Sequence, residues 1–232
     1  MPLEMAEKTF PERFRVRVFE VVEWGFQHQG VLAAALGGVL LVLAAGGVWW
    51  WQAERREGSA GVALIEVNQT FRQQYPAGFY LPSGESGEQK PDSLIQRYHQ
   101  VADRFAGTRA GAEALLRAGH LEYSAGQYDA AIADYDRYDK VRRAPFRASA
   151  ALGKGYALEA KGDMAGAVAA FGLAAETAGR DPIAAEAYLG QGRALESLKK
   201  RDEALRVYGL VAERFPQSSW AARATERMSA LR

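Results

Sequence analysis

Three histidines, His28, His99 and His120, are the only side chains of this 232-residue chain whose ordinary pKa lies near neutrality, and none stands in a spacing that builds a reactive centre. An HExxH run would set two imidazoles and a carboxylate around zinc on one helix face, a GxSxG run would raise a nucleophile on a tight turn, and a P-loop would cradle phosphate; none occurs. Cysteine is absent, which excludes disulfides, thiolate nucleophiles and cysteine-built zinc sites. Carboxylates are plentiful, but on helical patterns they read as a solvated face. The 29 basic and 28 acidic residues nearly cancel, and past the first 55 residues no basic block exceeds two or three, so a nucleic-acid groove is not indicated. No catalytic residue, metal site or cofactor is expected. What remains is recognition by apolar, aromatic and charged side chains, and the question becomes which elements hold them.

From residue 112 the chain repeats itself at a shift of 36 and then 37 residues: Gly119, Gly155 and Gly192 correspond, as do Ala131, Ala167 and Ala204. AGQYDAA, KGDMAGA and KKRDEAL break a helical pattern with small or polar residues and restart it with an acidic first turn, so each copy reads as helix, short turn, helix. Four residues after the shared alanine comes a ring, Tyr135, Phe171 or Tyr208, on the same helical face. A small residue beneath a large one suits two helices that cross closely. On that reading Ala167→Arg costs well over ~2 kcal/mol by overpacking and charge burial, whereas Glu159→Arg costs little.

The pattern resembles the tetratricopeptide repeat, with an aromatic at position 4, Gly or Ala at 8, Ala at 20, an aromatic at 24 and Pro near 32. The last copy matches with Tyr188, Gly192, Ala204, Tyr208 and Pro216, while the earlier two depart with Ala151 and Gly179, and with Leu115 and Arg143. Repeats are expected at about 112–147, 148–184 and 185–217, followed by a capping helix over 218–232 whose amino-terminal cap is Ser218 or Ser219. YHQVADRFAGTRAGAEAL from Tyr98 aligns with YGLVAERFPQSSWAARATERMSAL from Tyr208, so an earlier hairpin is expected over 58–105, interrupted by a Pro- and Gly-rich insertion at 76–91. The resemblance implies a groove lined by the first helices. Carried onto matching positions, it comprises Glu113, Leu116, His120 and Tyr123; Ser149, Leu152, Tyr156 and Glu159; and Glu186, Leu189, Arg193 and Glu196. Its expected character is a line of leucines flanked by Tyr and Glu, suited to extended client segments.

Ahead of the repeats lies one long stretch free of Asp, Glu, Lys and Arg, Trp24 to Ala53, with the centre VLAAALGGVLLVLAAGGVWWW. At ~1.5 Å per residue, residues 30–51 are long enough to span a ~30 Å hydrocarbon core. Trp24 and Phe26 at one end and Trp49, Trp50 and Trp51 at the other fit the two headgroup zones. Lys8, Arg13, Arg15 and Arg17 against Arg55 and Arg56 favour a cytoplasmic leader, residues 1–29, and export of residues 52–232. Gly30, Ala34 and Gly38 form a small-residue row that would let a second membrane helix approach.

The fold expected is therefore all-α: an N-terminal transmembrane helix and a tetratricopeptide-like solenoid of helical hairpins. A short leader, one membrane helix ending in Trp, QAERREGSAGVAL continuing as helix, and degenerate repeats together resemble the YfgM-type family of bacterial inner-membrane proteins. That resemblance implies an ancillary, non-catalytic subunit of the SecYEG translocon, single-pass in the inner membrane with a periplasmic domain. Its implied partners are the translocon, a membrane-anchored periplasmic chaperone or prolyl isomerase, and exported clients. The alternative is an envelope scaffold that links inner-membrane assembly machinery to cell-wall or outer-membrane factors.

Overall fold

The structure is a computed structural model that describes residues 29–75, 91–142 and 144–231. Residues 1–28 of the expected leader, with Trp24 and Phe26, and residues 76–90 of the expected insertion lie outside the described residues. Among those described, every regular element is an α-helix: α1 (Gln29–Gln74), α2 (Asp92–Arg104), α3 (Arg109–Ser124), α4 (Tyr128–Asp139), α5 (Arg147–Lys161), α6 (Met164–Ala178), α7 (Pro182–Ser197), α8 (Arg201–Arg214) and α9 (Ser219–Ala230). The all-α class read from the sequence is what forms. The chain divides into two units, Met1–Arg55 and Arg56–Arg232, and α1 contributes to both.

In the first unit α1 is long and apolar enough to cross a membrane, and its window of highest hydropathy has no buried residue. Leu41 and Trp49 are each 73% exposed. Apolar surface of that extent is a mark of membrane or partner contact. A Cβ added at Gly30 or Gly38 would meet nothing within 4 Å, so the small-residue row is uncovered here. The guanidinium of Arg55 lies 3.8 Å from the Trp51 ring centroid, a pairing that shields the charge where the apolar run ends.

The second unit is a stack of hairpins. Ala60, Leu64 and Val67 of α1 recur at helical spacing and bury against Leu94, Ile95 and Tyr98 of α2. The Tyr98 hydroxyl donates to Asn68 Oδ1 at 2.8 Å, and Arg97 Nη1 donates to Thr70 Oγ1 at 2.8 Å. Glu57 caps the next helix from a distance in sequence, accepting from Arg109 N at 2.9 Å and Ala110 N at 3.3 Å, beside Thr108, whose hydroxyl oxygen accepts from Gly111 N at 3.0 Å. α3 consequently starts at Arg109, ahead of the repeat start read near residue 112.

The three copies fold alike for reasons visible residue by residue. In each, the shared glycine receives the ring of the following helix. A Cβ on Gly119 would stand 2.9 Å from Tyr135 and one on Gly155 2.5 Å from Phe171, and Gly192 faces Tyr208 in the same manner. The next hairpin supplies a second glycine: Tyr135 also lies against Gly153, and Phe171 against Gly190. Tyr135 and Phe171 are thus held between two hairpins, all three rings are at 1% exposure or less, and burial of such a side chain contributes roughly 1.5–3 kcal/mol. Ala131, Ala167 and Ala204 are fully buried beneath these crossings. The turns repeat as well: Gln127 N, Asp163 N and Lys200 N reach back to the carbonyls of Glu122, Leu158 and Leu195, at 2.8, 2.9 and 2.9 Å.

α3 touches α5, α5 touches α7 and α7 touches α9, whereas no comparable contact joins α4, α6 and α8 among the described residues. First helices that meet their next-but-one neighbours form the inner layer of a curved stack, and α4, α6 and α8 the outer one. Ser218 caps α9 by accepting from Ala221 N at 3.1 Å. It repeats the device of Thr108, since each hydroxyl also donates to the carbonyl three residues back, of Phe215 and Phe105, at 2.6 and 2.7 Å.

Candidate functional site

The inner layer carries the groove positions read from the repeats, and they part into three groups and the lone Ser149. Tyr123, Tyr156, Glu159, Glu186, Arg193 and Glu196 form one continuous strip across α3, α5 and α7. The Tyr123 and Tyr156 rings lie 6.3 Å apart, and Tyr156 meets the buried Phe171 edge-on at 5.2 Å. The Tyr156 hydroxyl donates to Glu186 Oε1 at 2.6 Å, and burial together with that carboxylate pushes the phenol well above its usual pKa. Arg193 clamps Glu159 with two bonds, Nη2 to Oε2 at 2.9 Å and Nε to Oε1 at 3.2 Å. Glu196 accepts from Arg227 of α9, Nε to Oε1 at 3.0 Å and Nη2 to Oε2 at 2.5 Å, and also from the Tyr208 hydroxyl. Burial alone would raise the Glu196 carboxyl, but these donors outweigh it and hold the group below the usual carboxylate range.

The leucines behave differently. Leu116 and Leu189 are only 6% and 7% exposed, and Leu152 is half-buried against the core. Their area is spent on helix packing, so the face the groove offers is tyrosine and paired charge rather than a row of aliphatics. Glu159→Arg, inexpensive if Glu159 were an unpaired groove residue, would here set two cations together and break a half-buried bidentate pair. The expected small cost for that substitution is corrected on this ground.

Glu113 and His120 belong to the other end. Arg117 binds Glu113 along the helix, Nη2 to Oε1 at 2.7 Å. His120 lines a cavity of about 140 Å³ with Phe71, Tyr98, Arg117 and Leu121. Burial pushes its imidazole down to about 4, with Arg117 adding to the shift, so the ring is neutral at pH 7. Ser149 sits apart, in a shallow recess with Phe146, Ala178 and Ile183.

Beside the strip opens a cleft of about 580 Å³, lined by Glu159, Leu189, Arg193, Glu196, Ser197, Tyr208, Arg223, Glu226 and Arg227. Five of these, Ser197, Tyr208, Arg223, Glu226 and Arg227, were not expected in the groove. Three come from α9, whose period in WAARATERM would have pointed its arginines toward α7 had that helix been read as a wall rather than a cap. The arrangement offers flat rings with polar edges and guanidinium–carboxylate pairs that a charged or backbone-exposing ligand can enter.

The tetratricopeptide repeat family matches residues 116–181, from within α3 to the residue before α7. No curated protein matches the chain. Tetratricopeptide repeats are protein–protein interaction modules, and this chain contains them.

Proposed function

We propose that this protein is a membrane-tethered, non-catalytic binding module that holds an extended segment of a partner protein along the strip Tyr123, Tyr156, Glu159, Glu186, Arg193 and Glu196. The observation that carries the reading is the strip itself: rings and ion pairs aligned on the inner layer, contiguous with an open cleft. Tyrosine gives contact area at small entropic cost, and preformed ion pairs can exchange partners with charges or amides of a bound chain. The apolar α1 and the Lys/Arg bias of its flanks support a cytoplasmic leader, a span in a bacterial inner membrane and a periplasmic repeat domain. The resemblance to the YfgM-type family supports an ancillary role at a SecYEG-type translocon, beside a membrane-anchored periplasmic chaperone or prolyl isomerase, on exported clients.

A photo-crosslinking residue placed at Tyr123 of the full chain in native membranes tests this, with the same residue at Leu173 of the outer layer as control. Translocon subunits or exported precursors are expected from position 123 and not from 173. Equal capture from both faces would remove the groove from the argument, and outer-membrane assembly factors captured without translocon would turn the reading to the envelope scaffold. Protease added to spheroplasts should degrade the repeat domain, and its survival would refute the periplasmic placement.

A further inference from the structure

One cluster of ionisable groups lies outside the strip and is used by nothing described so far. His99 of α2, Glu122 of α3 and Asp134 of α4 converge: His99 Nε2 is 2.6 Å from Asp134 Oδ2 and 3.3 Å from Glu122 Oε1, and one ligand atom from each residue lies within 4.8 Å of the other two. Glu122 and Asp134 are 2% and 4% exposed. Taking two carboxylates out of water costs several kcal/mol each unless the charges are met. The repeat itself places apolar residues at most of these positions. Glu122 occupies the position of Leu158 and Leu195 in the later copies, Asp134 that of Ala170 and Val207, and His99 that of Asp136, Gly172 and Gly209. One junction of the stack therefore carries an imidazole and two carboxylates, where the equivalent positions of the next hold Asp136 with Leu158 and Ala170 and those of the last are Gly172, Leu195 and Val207.

His99 bridges both carboxylates, and the groups present leave one oxygen of the cluster without a partner. Arg137 Nη1 reaches Asp134 Oδ1 at 3.3 Å, while Glu122 Oε2, buried, has no hydrogen-bond partner. A buried carboxylate oxygen without a donor calls for an explanation, and a bound ion is one. We propose that His99, Glu122 and Asp134 bind a divalent transition-metal ion of the zinc class, clamping α2, α3 and α4 at the junction between the first hairpin and the second. A nitrogen and two carboxylate donors suit zinc, whereas calcium takes six or more oxygens and magnesium keeps an octahedral shell of oxygen and water. Bond lengths near 2.0–2.1 Å put tetrahedral ligand atoms about 3.3 Å apart, so the His99–Glu122 separation already fits and the His99–Asp134 pair must open by less than about 1 Å. The His99 side chain is 32% exposed, which gives the ion a path in and leaves a fourth position for water. Arg137, bound to Asp134 and also to Asp103, orients the carboxylate from outside. This departs from the expectation of no metal, which weighed only cysteine spacings and local motifs.

The full chain in detergent, stripped with chelator and titrated with Co²⁺ and then Zn²⁺, tests the site. One equivalent should bind, with the visible absorption bands of low-coordinate Co²⁺ displaced by Zn²⁺, and one equivalent of Zn²⁺ should raise the melting temperature. Glu122→Gln, near-isosteric and able to keep the helices together, should weaken Zn²⁺ binding by about 100-fold at unchanged helical circular dichroism. Should that variant fail to fold, the titration and melting shift of the native chain decide alone. Absence of stoichiometric binding to the native chain, or equal affinity in a folded Glu122→Gln, overturns the proposal.

Discussion

At the scale of single residues, the same substitution should have opposite signs at two glycines of one fold. A methyl group on Gly155 would enter the Phe171 ring, which Gly190 confines from the other side, so Gly155→Ala should cost the upper part of the about 1–3 kcal/mol typical of overpacking. That exceeds the gain of up to ~1 kcal/mol that alanine brings to a helix interior. Gly209 lies inside α8 with nothing within 4 Å of an added Cβ, so Gly209→Ala should stabilise by up to ~1 kcal/mol. Thermal or urea unfolding of the two variants checks the pair, and equal signs would mean that the ring-in-glycine crossing is not the repeat's organising contact. The glycine, alanine and ring positions were legible in the sequence because they recur at a fixed period. Partners such as Arg193 with Glu159, or Arg227 with Glu196, were not, because residues more than 30 apart meet only once helices have stacked. The leucines were placed on the right helices but given the wrong exposure, since a helical period tells which residues share a face and not which neighbour covers it.

At the scale of elements, the three equivalent turns place Gly126, Gly162 and Lys199 at positive φ, +76°, +84° and +61°. Two copies satisfy the left-handed position with the residue that tolerates it, and the third holds a lysine there against steric resistance. Lys199→Gly should therefore stabilise by about 0.5–1 kcal/mol, and Gly162→Lys should cost about as much, both read from melting temperatures. Turn sites were legible because KGDM and KKRD interrupt an apolar pattern, but KKRD gave no glycine to mark its strained residue. Helix starts were less legible. The Tyr98 and Tyr208 alignment already set Thr108 opposite Ser218, yet the start of α3 depends on Glu57, half a hundred residues away, which no local signal announces.

At the scale of the whole repeat unit, stability in a stack is a sum of hairpins and the interfaces between them. Tyr135 and Phe171 each join two hairpins, while Tyr208 sits on Gly192 and depends beyond it on α9, held through Arg227 and Glu196. Hydrogen exchange should therefore be fastest in α8 and α9 and slowest in α4 to α6, and Arg227→Ala should accelerate exchange in α8 and α9 while leaving α4 unchanged. Uniform exchange along the unit would show that it opens as one block. The hairpin order was legible from the period alone, whereas this gradient was not, because it follows from which ring has a glycine on both sides.

The shared rings also bear on how such a chain responds to load. Pulled from its C-terminal end, the stack can release only one hairpin at a time, because each aromatic lock must leave its far glycine before the next is strained. The protein would then yield in steps of about 36 residues, a stretch of slack paid out under tension while the remainder keeps its grip.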